Sequence, residues 1–379
     1  MATKTKLTAK EKEALEAQKQ SEAEDRSAAE RRDRITRMLK ETPPGRLLEA
    51  ALEQNDVFHA YLFYGPGDSL KDDAAMTFAA SILTGSDHLV LERTEPEASA
   101  SVITQMHHGE HSDFIFLDGS RREAIKKEEV DMIQRRFSLT ASSERGTKVY
   151  VITHAENSSL SAMNSLLKFL EEPAENVYAI LTADNIERIL PTIRSRCITV
   201  PFQALSRETL IAFCEEEGLD EEDIFFVSIA SPRPNEAGKM AAGRSYQTAK
   251  RMLRQYLNID ASRDLLFADY EYRYRSKAGN DDGEGVRYKD ARDENLDTLD
   301  LYFRFLVQFF HDVLKNDGAG PSWYHDAVTA MQRRNDYVRI CTEQMKIAAE
   351  ARDKVNRNND LSLLLAQTIS RLEDSEHVQ

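Results

Sequence analysis

Between Arg46 and about residue 203, short, mostly apolar runs alternate with stretches of helical periodicity. The runs at 60–64, 113–117, 148–152, 178–182 and 198–200 predict strands. A strand exposes its two faces at alternate positions, so runs without polar alternation predict a parallel sheet covered on both sides. Helices are predicted between them at 72–83, 127–137 and 160–170. In the last, Leu160, Met163, Leu166, Leu167 and Leu170 form one apolar stripe. Ser158 or Ser159 caps its N-terminus, and Pro173 stops it. Glu171 and Glu172 break the pattern: they stand at the C-terminal end, where the helix dipole disfavours negative charge. Such a local violation points to a site.

From Ser206 onward the pattern is helical, with short helices expected at 206–217, 221–230 and 235–243. The expected organisation is a charged, solvated N-terminal extension (1–40), an α/β domain (41–203) and a helical lid (204–275). A flexible, charged insertion (276–295) and an all-α collar domain (296–375) follow.

Composition narrows the function. The net charge of −15 and pI near 5.2 oppose autonomous binding to nucleic acid, whose phosphates repel an acidic chain. No apolar run approaches the roughly 20 residues that span a bilayer, and no apolar leader is read at the N-terminus, so a cytoplasmic, non-membrane protein is expected. Cys197, Cys214 and Cys341 are too far apart for a zinc module or disulfide framework.

The strand at 60–64 runs into Gly65-Pro-Gly-Asp-Ser-Leu-Lys-Asp72 and then a helix, the layout of the phosphate loop G-x-x-x-x-G-K-[ST]. Gly65 and Lys71 match. Leu70 replaces the second glycine, and Asp72 replaces the magnesium-binding Ser/Thr. Leu70 resists the tight backbone that cradles phosphate. Asp72 and Asp73 place negative charge at a helix N-terminus that a phosphate would otherwise use. The acidic second motif of an ATPase is also replaced: Thr153 and His154 follow the strand at 148–152, and Glu156 comes two residues late. A P-loop-like fold without ATPase chemistry of its own is expected, with no bound cofactor or metal. Lys71 is read as an exposed relic.

The segments NSLLKFLEEP (164–173) and LPTIRSRC (190–197) resemble signature segments of the clamp-loader subunits of the AAA+ class. HAYLFYGPG (59–67), His111-Ser-Asp113 and AEARDKVNRNNDLSLLL (349–365) extend the resemblance over most of the chain from about residue 45. With both nucleotide motifs degraded, the resemblance favours the delta-prime branch of the bacterial DNA polymerase III clamp loader over the gamma/tau motor subunits. It implies a non-hydrolysing ring subunit that partners gamma/tau-like motor subunits and a delta-like subunit. Through that complex it acts on the sliding clamp and primed DNA. It also implies that Arg196 reaches a neighbour's ATP as an arginine finger, with Ser195, Cys197, Glu171 and Glu172 at the interface. An internal ion pair is the competing reading for Arg196, and Arg194 rivals it for either role. The family's four-cysteine zinc module is missing from 84–110; His107, His108 and His111 are read as solvated loop residues.

Arg233, between Pro232 and Pro234, is placed at a nucleotide-sensing position or a turn. Two further functions compete: an ATPase using the deviant loop through Lys71, and a single-strand binder using Tyr270, Tyr272 and Tyr274 with Arg273 and Arg275.

Overall fold

The computed structural model describes residues 9–120, 124–137, 146–230, 234–258, 288–316, 319–356 and 358–377, without the side chains of 9–24, 134, 235, 288–291 and 377. The chain divides into two compact units, Met1–Leu205 and Ser206–Gln379.

The first unit is built on strands β1 (Ala60–Tyr64), β2 (Phe114–Asp118), β3 (Lys148–Thr153), β4 (Val177–Ala183) and β5 (Ile198–Pro201). They form one sheet in the order β2-β3-β4-β1-β5, and every pairing is parallel. The expected parallel α/β architecture is therefore present. Both faces are covered, which explains the lack of polar alternation. On one face Ala60 and Leu62 of β1 join Tyr150, Ile152, Ala179 and Leu181 in a core completed by Val130, Ile133, Met163 and Leu166. On the other, Tyr61 and Phe63 meet Phe78, with Tyr61 and Phe78 edge to face at 5.0 Å.

Phe78 belongs to α3 (Lys71–Thr84), which follows β1 directly. The helices of the first core are α5 (Lys127–Phe137) and α6 (Leu160–Glu171). Ser159, not Ser158, caps α6: its Oγ accepts the amide of Ala162 at 3.2 Å. Helix α4 (Glu97–His108) covers the segment in which the sequence pattern places no element.

The N-terminal region differs most from expectation. Helix α1 spans Ala9–Glu41, followed by α2 (Pro43–Glu53). The part of α1 whose side chains are described is docked: Ile35 and Leu39 are buried, and Thr36 Oγ1 lies 3.3 Å from Thr77 Oγ1 on α3. Arg32 donates through Nε and Nη2 to Oε2 of Glu92 at 2.9 and 2.7 Å. So charged a segment argues for a solvated extension, but an i,i+4 apolar pair and a few polar contacts suffice for a helix that packs on a preformed surface.

Helices α7 (Pro191–Arg194), α8 (Arg207–Glu216), α9 (Glu221–Ala230), α10 (Ala237–Ala242) and α11 (Arg244–Leu257) follow. Helices α12 (Tyr288–Lys315), α13 (Ser322–Gln332), α14 (Tyr337–Asp353) and α15 (Leu361–His377) complete the chain. In the second unit, helices assigned from sequence to the lid and to the collar share one core; Phe226 of α9 contacts Phe305 of α12 and stacks on Trp323 of α13. Residues 288–295 of the expected insertion are helical, within α12.

Candidate functional site

Parallel pairing brings the carboxyl ends of β1, β3 and β4 side by side, where open α/β sheets place their ligand sites. At the end of β1 the chain turns tightly. The amide of Gly65 donates to the carbonyl of Ala183 at 3.1 Å, and a Cβ on Gly65 would stand 2.2 Å from the Phe202 carbonyl oxygen. Only glycine fits that approach.

The degenerate loop then closes on itself. Lys71 is fully buried, which corrects the expectation of an exposed relic. Its Nζ lies 2.6 Å from Oδ1 of Asp184, directly after β4, and donates to the Pro66 carbonyl at 3.2 Å. The lysine that a phosphate loop aims at phosphate is therefore held by a carboxylate of its own chain. Leu70 occupies the N-cap position of α3 without a capping side-chain bond and is buried. Asp72 stands in the first turn of α3, but its carboxylate faces inward and accepts from Thr182 Oγ1 at 2.5 Å.

The second motif is tied into the same network. Thr182 Oγ1 accepts the His154 amide at 3.1 Å, and His154 adopts a left-handed backbone with φ 48°. Thr153 Oγ1 donates to Asp118 Oδ1 at 3.2 Å. Buried Glu156 accepts the Asp184 amide at 2.8 Å, fixing the residue that holds Lys71. The ammonium is paired internally, and a threonine and a histidine stand at the positions where an ATPase carries acids. Sequence reading did not single out Asp184. The available signal was an acidic residue at the end of an apolar strand predicted beside the loop-bearing strand.

The second cluster lies at the end of α6. Glu171 Oε1 is 2.8 Å from Arg196 Nη2, while Arg196 Nη1 donates to the Thr192 carbonyl at 2.9 Å. Ser195 Oγ donates to the same carbonyl at 3.1 Å. Arg196 thus has the internal partner weighed as the competing reading, on the surface: the side chains of Arg196 and Glu171 are 35% and 44% exposed. Arg194 pairs with Glu187 at 3.1 Å. Glu172 is the C-cap residue of α6, and with Glu171 it lines a cavity of about 440 Å³ beside His59, Tyr150 and Phe169. Cys197 packs against the sheet core, and burial pushes its thiol up to about 12, away from reactivity.

The three histidines do not converge. His107 and His108 end α4, His108 Nε2 lies 3.4 Å from Asp25 Oδ1, and His111 Nδ1 accepts the Asp113 amide at 3.3 Å. Among the described residues no group of three or more His, Cys, Asp or Glu side chains is placed to hold a metal ion. No helix among them is long and apolar enough to cross a membrane. Arg233, Tyr270, Tyr272, Arg273, Tyr274 and Arg275 lie outside the described residues.

Residues 42–206 match the family model described as DNA polymerase III, delta subunit. The chain is 37% identical over 183 residues to DNA polymerase III subunit delta' of Bacillus subtilis, covering 47% of this chain and 51% of that protein. It is 31% identical over 181 residues to subunit delta' of Pseudomonas aeruginosa, covering 46% and 53%. It is also 31% identical over 164 residues to subunit tau of Bacillus subtilis, covering 43% and 28%. The chain spans about half the length of the delta' proteins it matches. In its first unit the chain resembles the delta-prime subunit of bacterial DNA polymerase III, with an AAA+ P-loop-like fold.

Proposed function

We propose that this chain is a delta-prime-like, non-hydrolysing subunit of a bacterial DNA polymerase III clamp loader, one that acts on a neighbour's ATP through Arg196. The relatives carry both delta' and tau names, so the resemblance alone leaves a choice between a stationary subunit and a motor. The Lys71–Asp184 pair supports the stationary subunit. An ATPase needs that ammonium for the transferred phosphate and an acid at the second motif. Here the first is neutralised internally, and the second is Thr153 and His154.

Arg196 stands on the surface just after the one-turn helix α7, reachable by a neighbouring subunit. A guanidinium at such a boundary stabilises negative charge developing on a phosphoryl group in transfer to water. In this reading the gamma/tau-like motor subunits and a delta-like subunit are direct partners, and the sliding clamp and primed DNA are engaged through the complex. Ser195, Cys197, Glu171 and Glu172 belong to the interface region.

Co-purification from native cells tests the assembly: motor subunits are expected with this chain, and their absence rejects the reading. Equilibrium dialysis with labelled ATP tests the division of labour. Micromolar binding by the isolated chain that disappears in Lys71→Ala would establish the deviant ATPase instead.

A further inference from the structure

We propose that Glu171 is a positioning residue for Arg196: it fixes the guanidinium in the orientation from which it meets a neighbour's phosphates. The inference rests on the trans role of Arg196 and deepens it.

Helix stability gives no reason for the placement of Glu171. It is the last residue of α6, and the neighbouring carbonyls at a helix C-terminus repel a carboxylate. The fold resolves this by bringing Arg196, from the turn between α7 and β5, to within 2.8 Å. The contacts on the guanidinium come from two elements. Glu171 of α6 takes Nη2, and the Thr192 carbonyl of α7 takes Nη1, with Ser195 Oγ at 3.4 Å from Nη1. Contacts on both terminal nitrogens restrict how the planar group can swing. Among the described residues the Nε–H has no partner, and of the five N–H donors of a guanidinium these contacts leave some open to an approaching anion.

The exposure of the pair decides between holding and locking. An ion pair this accessible adds little to the fold, because solvent screens both charges. Such a contact is too weak to sequester the arginine against a doubly charged phosphate that accepts two parallel hydrogen bonds. It is strong enough to bias a side chain that otherwise samples many rotamers. Arg194 differs: its partner Glu187 comes from the loop before α7, not from α6.

The test uses the reconstituted clamp loader with ATP, sliding clamp and primed DNA. Glu171→Ala is expected to lower the stimulated kcat by about three- to tenfold with KM for ATP unchanged, the signature of an interaction made in the transition state. Glu171→Gln keeps an accepting oxygen and is expected to recover kcat to within about twofold, since a neutral acceptor still orients the group. Arg196→Ala is expected to lower kcat further, and the double variant to match Arg196→Ala alone, because coupled residues are not additive.

If Arg196→Ala lowers kcat and Glu171→Ala does not, the positioning role fails and the finger stands. If Arg196→Ala leaves kcat unchanged, the reading beneath it fails. If Glu171→Ala lowers kcat only in proportion to lost complex on size-exclusion chromatography, Glu171 is structural and the proposal falls.

Discussion

Lys71 and Asp184 are 113 positions apart in the chain (184 − 71), yet the lysine Nζ and the aspartate Oδ1 are separated by 2.6 Å. The two partners are unequally buried: Lys71 is 0% exposed and the Asp184 side chain 42%. That asymmetry predicts unequal costs. Among the described residues, Asp184→Ala leaves the buried ammonium with the Pro66 carbonyl and the more distant Asp72, at 3.8 Å. The expected loss is about 1–3 kcal/mol, less than for a fully buried pair because water reaches the vacated side. Lys71→Met keeps the buried stem and leaves the Asp184 carboxylate to water, while Asp72 keeps its hydrogen bond from Thr182, so it is expected to cost less than Asp184→Ala. Urea unfolding of the two variants checks the order; equal losses would show that the pair is not what stabilises the loop.

Glu156 supports the same pair from behind. It is buried, and one of its oxygens accepts the Asp184 amide. Glu156→Gln keeps an acceptor there and is expected to be nearly neutral. Glu156→Ala removes an acceptor from a backbone amide beside the Lys71 counter-ion, with an expected loss of about 1–3 kcal/mol. In a double-mutant cycle with Asp184→Ala the losses should be less than additive, since both loosen one network. Additive losses measured by denaturant unfolding would separate the two contacts.

These pairs also mark what was and was not legible in the sequence. The strands were legible because a doubly covered parallel strand lacks polar alternation; 60–64 corresponds to β1 without adjustment, and the others differ by one residue at one or both ends. The degraded loop was legible at Leu70 and Asp72 because the phosphate loop has fixed spacing. The burial of Lys71 was not, because its partner arises from the pairing of β1 with β4. The Glu171–Glu172 anomaly was visible as a violation of dipole preference, but its partner depends on where α7 returns the chain. The docking of α1 was missed because two apolar positions on a charged helix leave almost no periodic signal.

Leu39 tests that docking. It is 0% exposed although it lies in a segment of mostly charged residues. If α1 is an integral part of the first unit, Leu39→Ala should cost about 2–4 kcal/mol, the range for truncating a leucine in a packed core. A solvated helix would lose a few tenths at most, as alanine is the better helix former. Thermal unfolding distinguishes the two, and Leu47→Ala, at a position 47% exposed on α2, serves as the control expected to change little.

The same region should make the fold acid-sensitive. Burial pushes the imidazole of His107 down to about 3, and the nearby Arg32 guanidinium and His108 act in the same direction. Its ordinary value is 6.5, so the folded chain holds this residue neutral where the unfolded chain accepts a proton. Above that value neither state is protonated at this site, and the full stability is present. As pH falls below 6.5 the unfolded state alone gains the proton, so stability declines toward the folded value near 3. His111, also lowered by burial, adds to the decline. His88 opposes it, because Asp87 first and Glu95 second raise its value, a contribution lost as pH rises. The measurement is therefore a difference. Melting temperatures of the unmodified chain and of His107→Gln, taken from pH 7.5 to pH 5, should diverge at the basic end and converge as acid removes the advantage of neutral His107. Parallel curves would show that this imidazole titrates alike in the folded and unfolded chains.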